Sequence, residues 1–306
     1  MSGYLIGLFW NNGEENFDFA YNLNQNEMTN SISVNTSQLT NDLISTLKNK
    51  PIDVEIHNIH INKLNSRFCE LNIESILFNR CKINSLSALK IMKSLKKITF
   101  IDSEIKEIGF ENSDIDYISA YCSSIPFEEI CNFTSLSELY YKSSRNIHIS
   151  NECKLEKLQN LQNLAILNLS DNNIKSIDGF PVLPRLISLD LSQNHIEMID
   201  PLGEYKTLKY VYLNNNNIVD AIHLRNNPII FLNLSHNKIS NAMFIESYED
   251  LKSLNVKDNP IKIMPNLLSL KNLDYDCLRV DWNNVNELKG MKGFELFKNI
   301  IKSLTK

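Results

Sequence analysis

Three kinds of residue in this chain could do chemistry: six histidines, a scatter of carboxylates, and an asparagine that keeps returning. The histidines are His57, His60, His148, His195, His223 and His236. His57 and His60 straddle the end of an expected strand, but no cysteine or carboxylate stands from them at zinc-finger or catalytic-zinc spacing. There is no phosphate-binding glycine-rich loop, no nucleophile elbow and no H-E-x-x-H. Asp171, Asp190, Asp258 and Asn255 fall at variable positions of a repeating pattern, where solvated side chains are the ordinary occupants. No catalytic residue, metal or cofactor is therefore expected, and the chain does not read as an enzyme. The asparagines are different. Asn172, Asn194, Asn216, Asn237 and Asn259 recur at steps of 22, 22, 21 and 22 residues. An amide carries both donor and acceptor, so a buried column of amides can satisfy backbone groups on either side.

The elements that must hold that column follow from its neighbours. Each asparagine closes a copy of L-x-x-L-x-L-x-x-N-x-I, with first positions at Leu164, Leu186, Leu208, Ile229 and Leu251. L-x-L places two side chains on one face of a short strand, because strand side chains alternate with period two. A single copy cannot bury that face, whereas stacked copies form a parallel sheet with one continuous core. Between strands, apolar residues recur about every third position, as in Ile177, Phe180, Leu183 and Leu186, which suits a short 3₁₀-like segment. This is the signature of leucine-rich repeats. The expected fold is an α/β leucine-rich-repeat solenoid, with a curved parallel concave sheet and short 3₁₀ or helical convex segments.

Weaker copies continue backwards in the same register. They begin at Leu136, Ile115, Leu95, Ile73 and Val54, and a last one, Ile32, Val34, Ser37, Leu39, reaches residue 29. Ser103, Ser123, Ser144 and Cys81 stand where asparagine would be. The step from 136 to 164 implies an insertion. About eleven repeats result: an N-terminal cap at 1–28, irregular repeats at 29–146, an insertion at 147–163, regular repeats at 164–282 and a C-terminal cap at 283–306. Asn12-Gly13 between apolar runs signals a hairpin in the first cap. Phe294, Phe297, Ile301 and Leu304 at helical spacing signal a helix in the second.

Composition narrows the class further. A formal net charge of −5 with dispersed Lys and Arg gives no basic stripe, so no direct contact with nucleic acid is expected. No stretch approaches the roughly 20 apolar residues of a membrane span. The N-terminus lacks the basic and apolar regions of a signal peptide. The six cysteines show no paired framework. A cytoplasmic or nuclear location follows as the expectation.

Function should then lie in the residues that point out of the sheet. Between the two sheet leucines stand Glu55, Leu77, Thr99, Ser119, Tyr140, Asn168, Asp190, Tyr212, Asn233 and Asn255. Just before the second leucine come Tyr117, Ile166, Tyr210 and Phe231. The core has no need of aromatic rings there, and exposed aromatics are what protein-binding hot spots use. Tyr210, Tyr212 and Phe231 are the candidate anchors, with Asp190 as an acidic contact that orients a basic partner.

The 22-residue form with I-x-x-I-x-x-L-x-x-L resembles the repeats of the leucine-rich-repeat regulatory subunit of protein phosphatase 1. Trp282-Asn-Asn-Val-Asn-Glu287-Leu288-Lys289-Gly290 resembles that family's segment W-x-x-(L/V)-(D/N)-E-L-K-G. The resemblance implies a protein-binding scaffold whose partner is the phosphatase catalytic subunit, with Trp282 as a further anchor. Two departures stand beside it: Val280 replaces an acidic residue, and 16 residues follow Gly290 where the family continues into a further repeat. A structural partner in a ribonucleoprotein complex, working through protein contacts, is the alternative.

Overall fold

The computed structural model describes residues 4–10, 17–22, 31–33, 52–58, 60–61, 64, 68–111, 114–143, 155–285 and 287–288. The chain forms two compact units, Met1–Ile147 and His148–Lys306.

The first unit begins with β1 (Tyr4–Trp10), β2 (Phe17–Asn22) and β3 (Ser31–Ser33). Then come β4 (Ile52–His57), β5 (His60–Ile61), β6 (Ile73–Asn79), β7 (Lys82–Ile83), β8 (Lys97–Ile101) and β9 (Glu104–Ile105). β10 (Tyr117–Ser123), the single turn of helix α1 (Phe127–Ile130) and β11 (Glu138–Ser143) complete it. Within this unit the strand order is β3-β2-β1-β4-β6-β8-β10-β11, parallel from β1 onward. β5, β7 and β9 make a second, smaller parallel sheet. Alternation buries one face, with Ile76 and Phe78, Ile98 and Phe100, and Ile118 and Ala120 all at 1 % exposure or less. The Phe78 and Phe100 rings stack at 5.5 Å. Each such aliphatic or aromatic side chain contributes about 1.5–3 kcal/mol by leaving water.

The second unit is more regular. β12 (Ile166–Asn168), β13 (Ser188–Asp190), β14 (Tyr210–Tyr212), β15 (Phe231–Asn233) and β16 (Ser253–Asn255) are three residues each. β17 (Ile263–Met264), β18 (Leu278–Arg279) and β19 (Glu287–Leu288) follow. Strands β12 to β16 and then β18 pair in sequence, all parallel, while β17 pairs with β19. Leu167, Leu189, Val211, Leu232 and Leu254 lie side by side with none of their surface exposed. The predicted three-residue period returns as 3₁₀ turns at Asp200–Glu204, Ile222–Asn226 and Met243–Ser247.

The asparagines form a continuous buried column, none more than 8 % exposed. Asn194 shows the pattern: its Oδ1 accepts from the amides of Asn172 (3.1 Å) and Ile174 (2.9 Å), and its Nδ2 donates to the carbonyls of Leu169 and Leu191, both at 3.0 Å. Asn216, Asn237 and Asn259 repeat it one step along. In the first unit a hydroxyl takes this place. Ser103 Oγ accepts from the Cys81 amide at 3.0 Å and lies within bonding distance of the Phe78 and Ile101 carbonyls; Ser123 Oγ accepts from the Ser103 amide at 3.0 Å.

Two sequence expectations need correction. Ile32 does not begin the parallel array, because β3 is antiparallel on β2 and the place beside β4 belongs to β1. β1 matches β4 over six register pairs, which a three-residue strand cannot offer. β11 ends at Ser143, which pairs with Ser123 across a register shift between Tyr121 and Ser123. Ser144 itself and the helix expected at 294–304 lie outside the described residues. Finally, Leu278 adds a strand two residues later than the period predicts. A 3₁₀ turn at Tyr275–Cys277, capped by Asp274 accepting from the Asp276 amide, takes up the extra chain.

Candidate functional site

The open face of the second unit carries two outward residues per strand. One row runs Ile166, Ser188, Tyr210, Phe231, Ser253, and the other Asn168, Asp190, Tyr212, Asn233, Asn255. Asp190, Tyr210, Tyr212 and Phe231 thus meet on three adjacent strands. The Tyr212 and Phe231 rings pack at 4.7 Å between centroids, tilted by 35°. Tyr210 is 41 % exposed, and beside it stands Ile187, 40 % exposed, whose carbonyl accepts from the amides of Lys209 and Tyr210. Ile187 did not stand out in the sequence. It sits one residue before the strand, with its backbone bonded to that of Tyr210.

The second row explains which outward residues are structural. Asn168, Asp190, Asn233 and Asn255 each accept, through Oδ1, from the amide two residues on: Ser170 (2.9 Å), Ser192 (2.9 Å), Ser235 (3.1 Å) and Lys257 (3.2 Å). These are Asx turns, and they bend the chain off the sheet after three residues. Tyr212 breaks the row. A phenol ring has no acceptor close enough to its own backbone to close such a turn, so the repeat forgoes a local bond there to carry an aromatic. Burial first, then the charge of Asp190 and the neighbouring Tyr210, push the Tyr212 phenol above its ordinary pKa. It therefore remains a neutral donor.

Asp190 is held from two sides. Oδ1 takes the Ser192 amide and Oδ2 the Asn168 Nδ2 at 3.1 Å, so the carboxylate has a fixed orientation. Trp282 is not brought to this strip. Its side chain is 8 % exposed at the turn following β18, where the neighbouring Asp281 accepts from the Asp258 amide. A ring already buried has little area to give a partner, so its place is that of a residue closing the last described repeats.

The first unit presents a different face. Its strands carry Leu77, Thr99 and Ser119 where the second unit has Asx residues, so no Asx turn stops them and they run two to four residues longer. A third outward row results, with Tyr121 53 % exposed and Lys142 Nζ 5.1 Å from its ring centre. Lys97 Nζ stands 5.6 Å from the Tyr117 ring centre, and the Tyr117 and Tyr140 rings lie 5.6 Å apart. Burial and the adjacent Glu138 push the Tyr140 phenol up to about 12. Tyr121 was missed because the outward residues were sought only on either side of the second leucine, whereas this strand runs on past the third.

Among the described residues no group of three or more His, Cys, Asp or Glu side chains could hold a metal ion. No described helix is long and apolar enough to cross a membrane. Cys122 and Cys277 are free thiols.

Comparison with known proteins agrees with this architecture. The family model for leucine-rich repeats in two copies matches residues 162–204 and 184–228. No curated protein matches the sequence significantly. Among solved structures, an internalin (inlF) from Listeria monocytogenes is similar with a TM-score of 0.55 at 16 % identity, covering 88 % of this chain and 92 % of that one. A leucine-rich-repeat protein from Leptospira interrogans is similar with a TM-score of 0.55 at 15 % identity, covering 77 % and 74 %. The chain carries leucine-rich repeats and has the fold of a leucine-rich-repeat solenoid.

Proposed function

We propose that this leucine-rich-repeat chain is a protein-binding scaffold whose concave face, over β13 to β15, docks a protein partner. The observation that carries the reading is Tyr212, which interrupts a row of strand-ending Asx residues to place a ring against Phe231 and beside Asp190. Tyr210, on the same strand, widens the aromatic area. Interface energy concentrates in a few such anchors, while the surrounding polar residues exclude water.

The first partner to test is the catalytic subunit of protein phosphatase 1, supported by the repeat length and by the segment from Trp282 to Gly290. The working location is the cytoplasm or nucleus. Binding of the purified full chain to that subunit, followed by calorimetry, is the experiment. Replacing Tyr212 and Phe231 together by Ala is expected to weaken binding by about 2–4 kcal/mol, on the order of 30- to 1000-fold, with an unchanged melting profile. No binding by the unaltered chain removes the phosphatase; an unchanged affinity of the double variant removes this face.

A further inference from the structure

The chemistry of the strip also specifies the side chain it receives. Of the ten outward residues on β12 to β16, Asp190 is the single carboxylate, and none is Lys, Arg or His. The nearest outward groups are phenols, amides and hydroxyls, with the π faces of Tyr210, Tyr212 and Phe231 on the following two strands. A face with one fixed negative charge and several rings is complementary to a cation that is also flat.

The carboxylate is prepared for such a ligand. One bond on each oxygen, from the Ser192 amide and from Asn168 Nδ2, sets its plane without exhausting it, because a carboxylate offers about four acceptor sites. Tyr212 is its neighbour across the sheet in register, and Tyr210 lies on the same strand as Tyr212, two residues before it. A guanidinium can donate two parallel bonds to a carboxylate and stack on an aromatic face at the same time; an ammonium is a compact, strongly hydrated point charge that does neither well. Stacking on tyrosine adds the attraction of a cation for the ring quadrupole.

We infer that the Asp190–Tyr212–Tyr210 corner is an arginine subsite, and that the partner docks with a segment presenting an arginine to Asp190 and an apolar residue to the Tyr212–Phe231 pair. This inference rests on the docking face proposed above. Ser192 and Asn168 are positioning residues for the carboxylate.

The test uses the full chain as bait for a phage-displayed library of random 12-residue peptides, with selected sequences remade synthetically and their affinities measured. The expected peptides contain arginine beside an apolar residue. Changing that arginine to lysine should weaken binding about fivefold or more, and Asp190→Asn about tenfold. Asp190→Asn keeps the acceptor for the Ser192 amide and gives up only the half-buried bond from Asn168 Nδ2, so the variant should stay folded with a melting temperature slightly below that of the unaltered chain. Peptides that lose affinity on Tyr212→Ala but carry no arginine, or bind Asp190→Asn equally well, overturn the arginine subsite and leave the docking face standing. Peptides indifferent to Tyr212→Ala and Phe231→Ala, or no selected binder at all, count against both.

Discussion

The two units meet one requirement with different side chains. Every repeat must satisfy backbone groups where the chain leaves the strand. The second unit does it with an amide that reaches two or three neighbours, as Asn216 does for the Ile196 amide and the Leu191 and Leu213 carbonyls. The first does it with a hydroxyl, which has one proton to give and less reach. There the backbone itself satisfies some of these groups. β5, β7 and β9 pair directly just beyond the column, as in the bond from the Glu104 amide to the Cys81 carbonyl. The Asx residues of the second unit end its strands early, and their absence lets those of the first run on. Short, evenly turned strands hold a few side chains in a lattice; longer strands give a broader and more mixed face.

The sharpest way to break that comparison is to remove the column residue in each unit. Asn216→Ala strands the buried Ile196 amide and takes one of two donors from the Leu191 and Leu213 carbonyls, which keep Asn194 and Asn237; it is expected to cost about 2–4 kcal/mol. Ser103→Ala, with neighbouring strands already paired, should cost about 1–2 kcal/mol. Urea denaturation of both variants measures the difference. Equal losses would mean that the second sheet does not relieve the serine column.

Two tyrosines at equivalent places within the second unit sharpen it further. Tyr205 donates to the Pro181 carbonyl, whereas the Tyr248 hydroxyl is buried with no hydrogen-bond partner among the described residues. Tyr205→Phe is expected to lose about 1 kcal/mol and Tyr248→Phe to gain a similar amount. Burial raises both phenols well above the ordinary value of 10.0. The fold therefore holds the neutral form, and stability is intact below pH 10 and falls as pH rises past it, when the unfolded phenol ionises and the folded one does not. Melting temperature against pH should show Tyr248→Phe with a shallower alkaline decline than the parent.

The smallest expected effect concerns a residue type that no repeat pattern specifies. The position just before each column residue has positive φ: Arg80, Asp102 and Cys122 in the first unit, Asp171, Gln193, Asn215, His236 and Asp258 in the second. Asn and Asp tolerate that conformation better than long side chains. Arg80→Asn should stabilise by roughly 0.5 kcal/mol, and a melting temperature that falls instead would show that the Arg80 side chain has a compensating role.

What the sequence determined by itself is everything that repeats. The period, the strand leucines, the 3₁₀ spacing and the amide column are local rules applied to identical neighbours, so each copy predicts the next. Tyr210, Tyr212, Phe231 and Asp190 were legible as outward residues for the same reason. Tertiary structure decided whatever lacks an identical neighbour. At the first end, β1 displaced the weak copy at Ile32 because a longer strand pairs over more of β4. After Tyr121 the register between β10 and β11 shifted, so that Ser123 stands opposite Ser143. At the other end Trp282 went inside, where its ring is shielded from water. The meaning of Tyr212 also needed the structure. An aromatic at a variable position is ordinary in a string of letters; it becomes informative when the residues on either side of it, Asp190 and Asn233, are each seen to commit an oxygen to turning the chain.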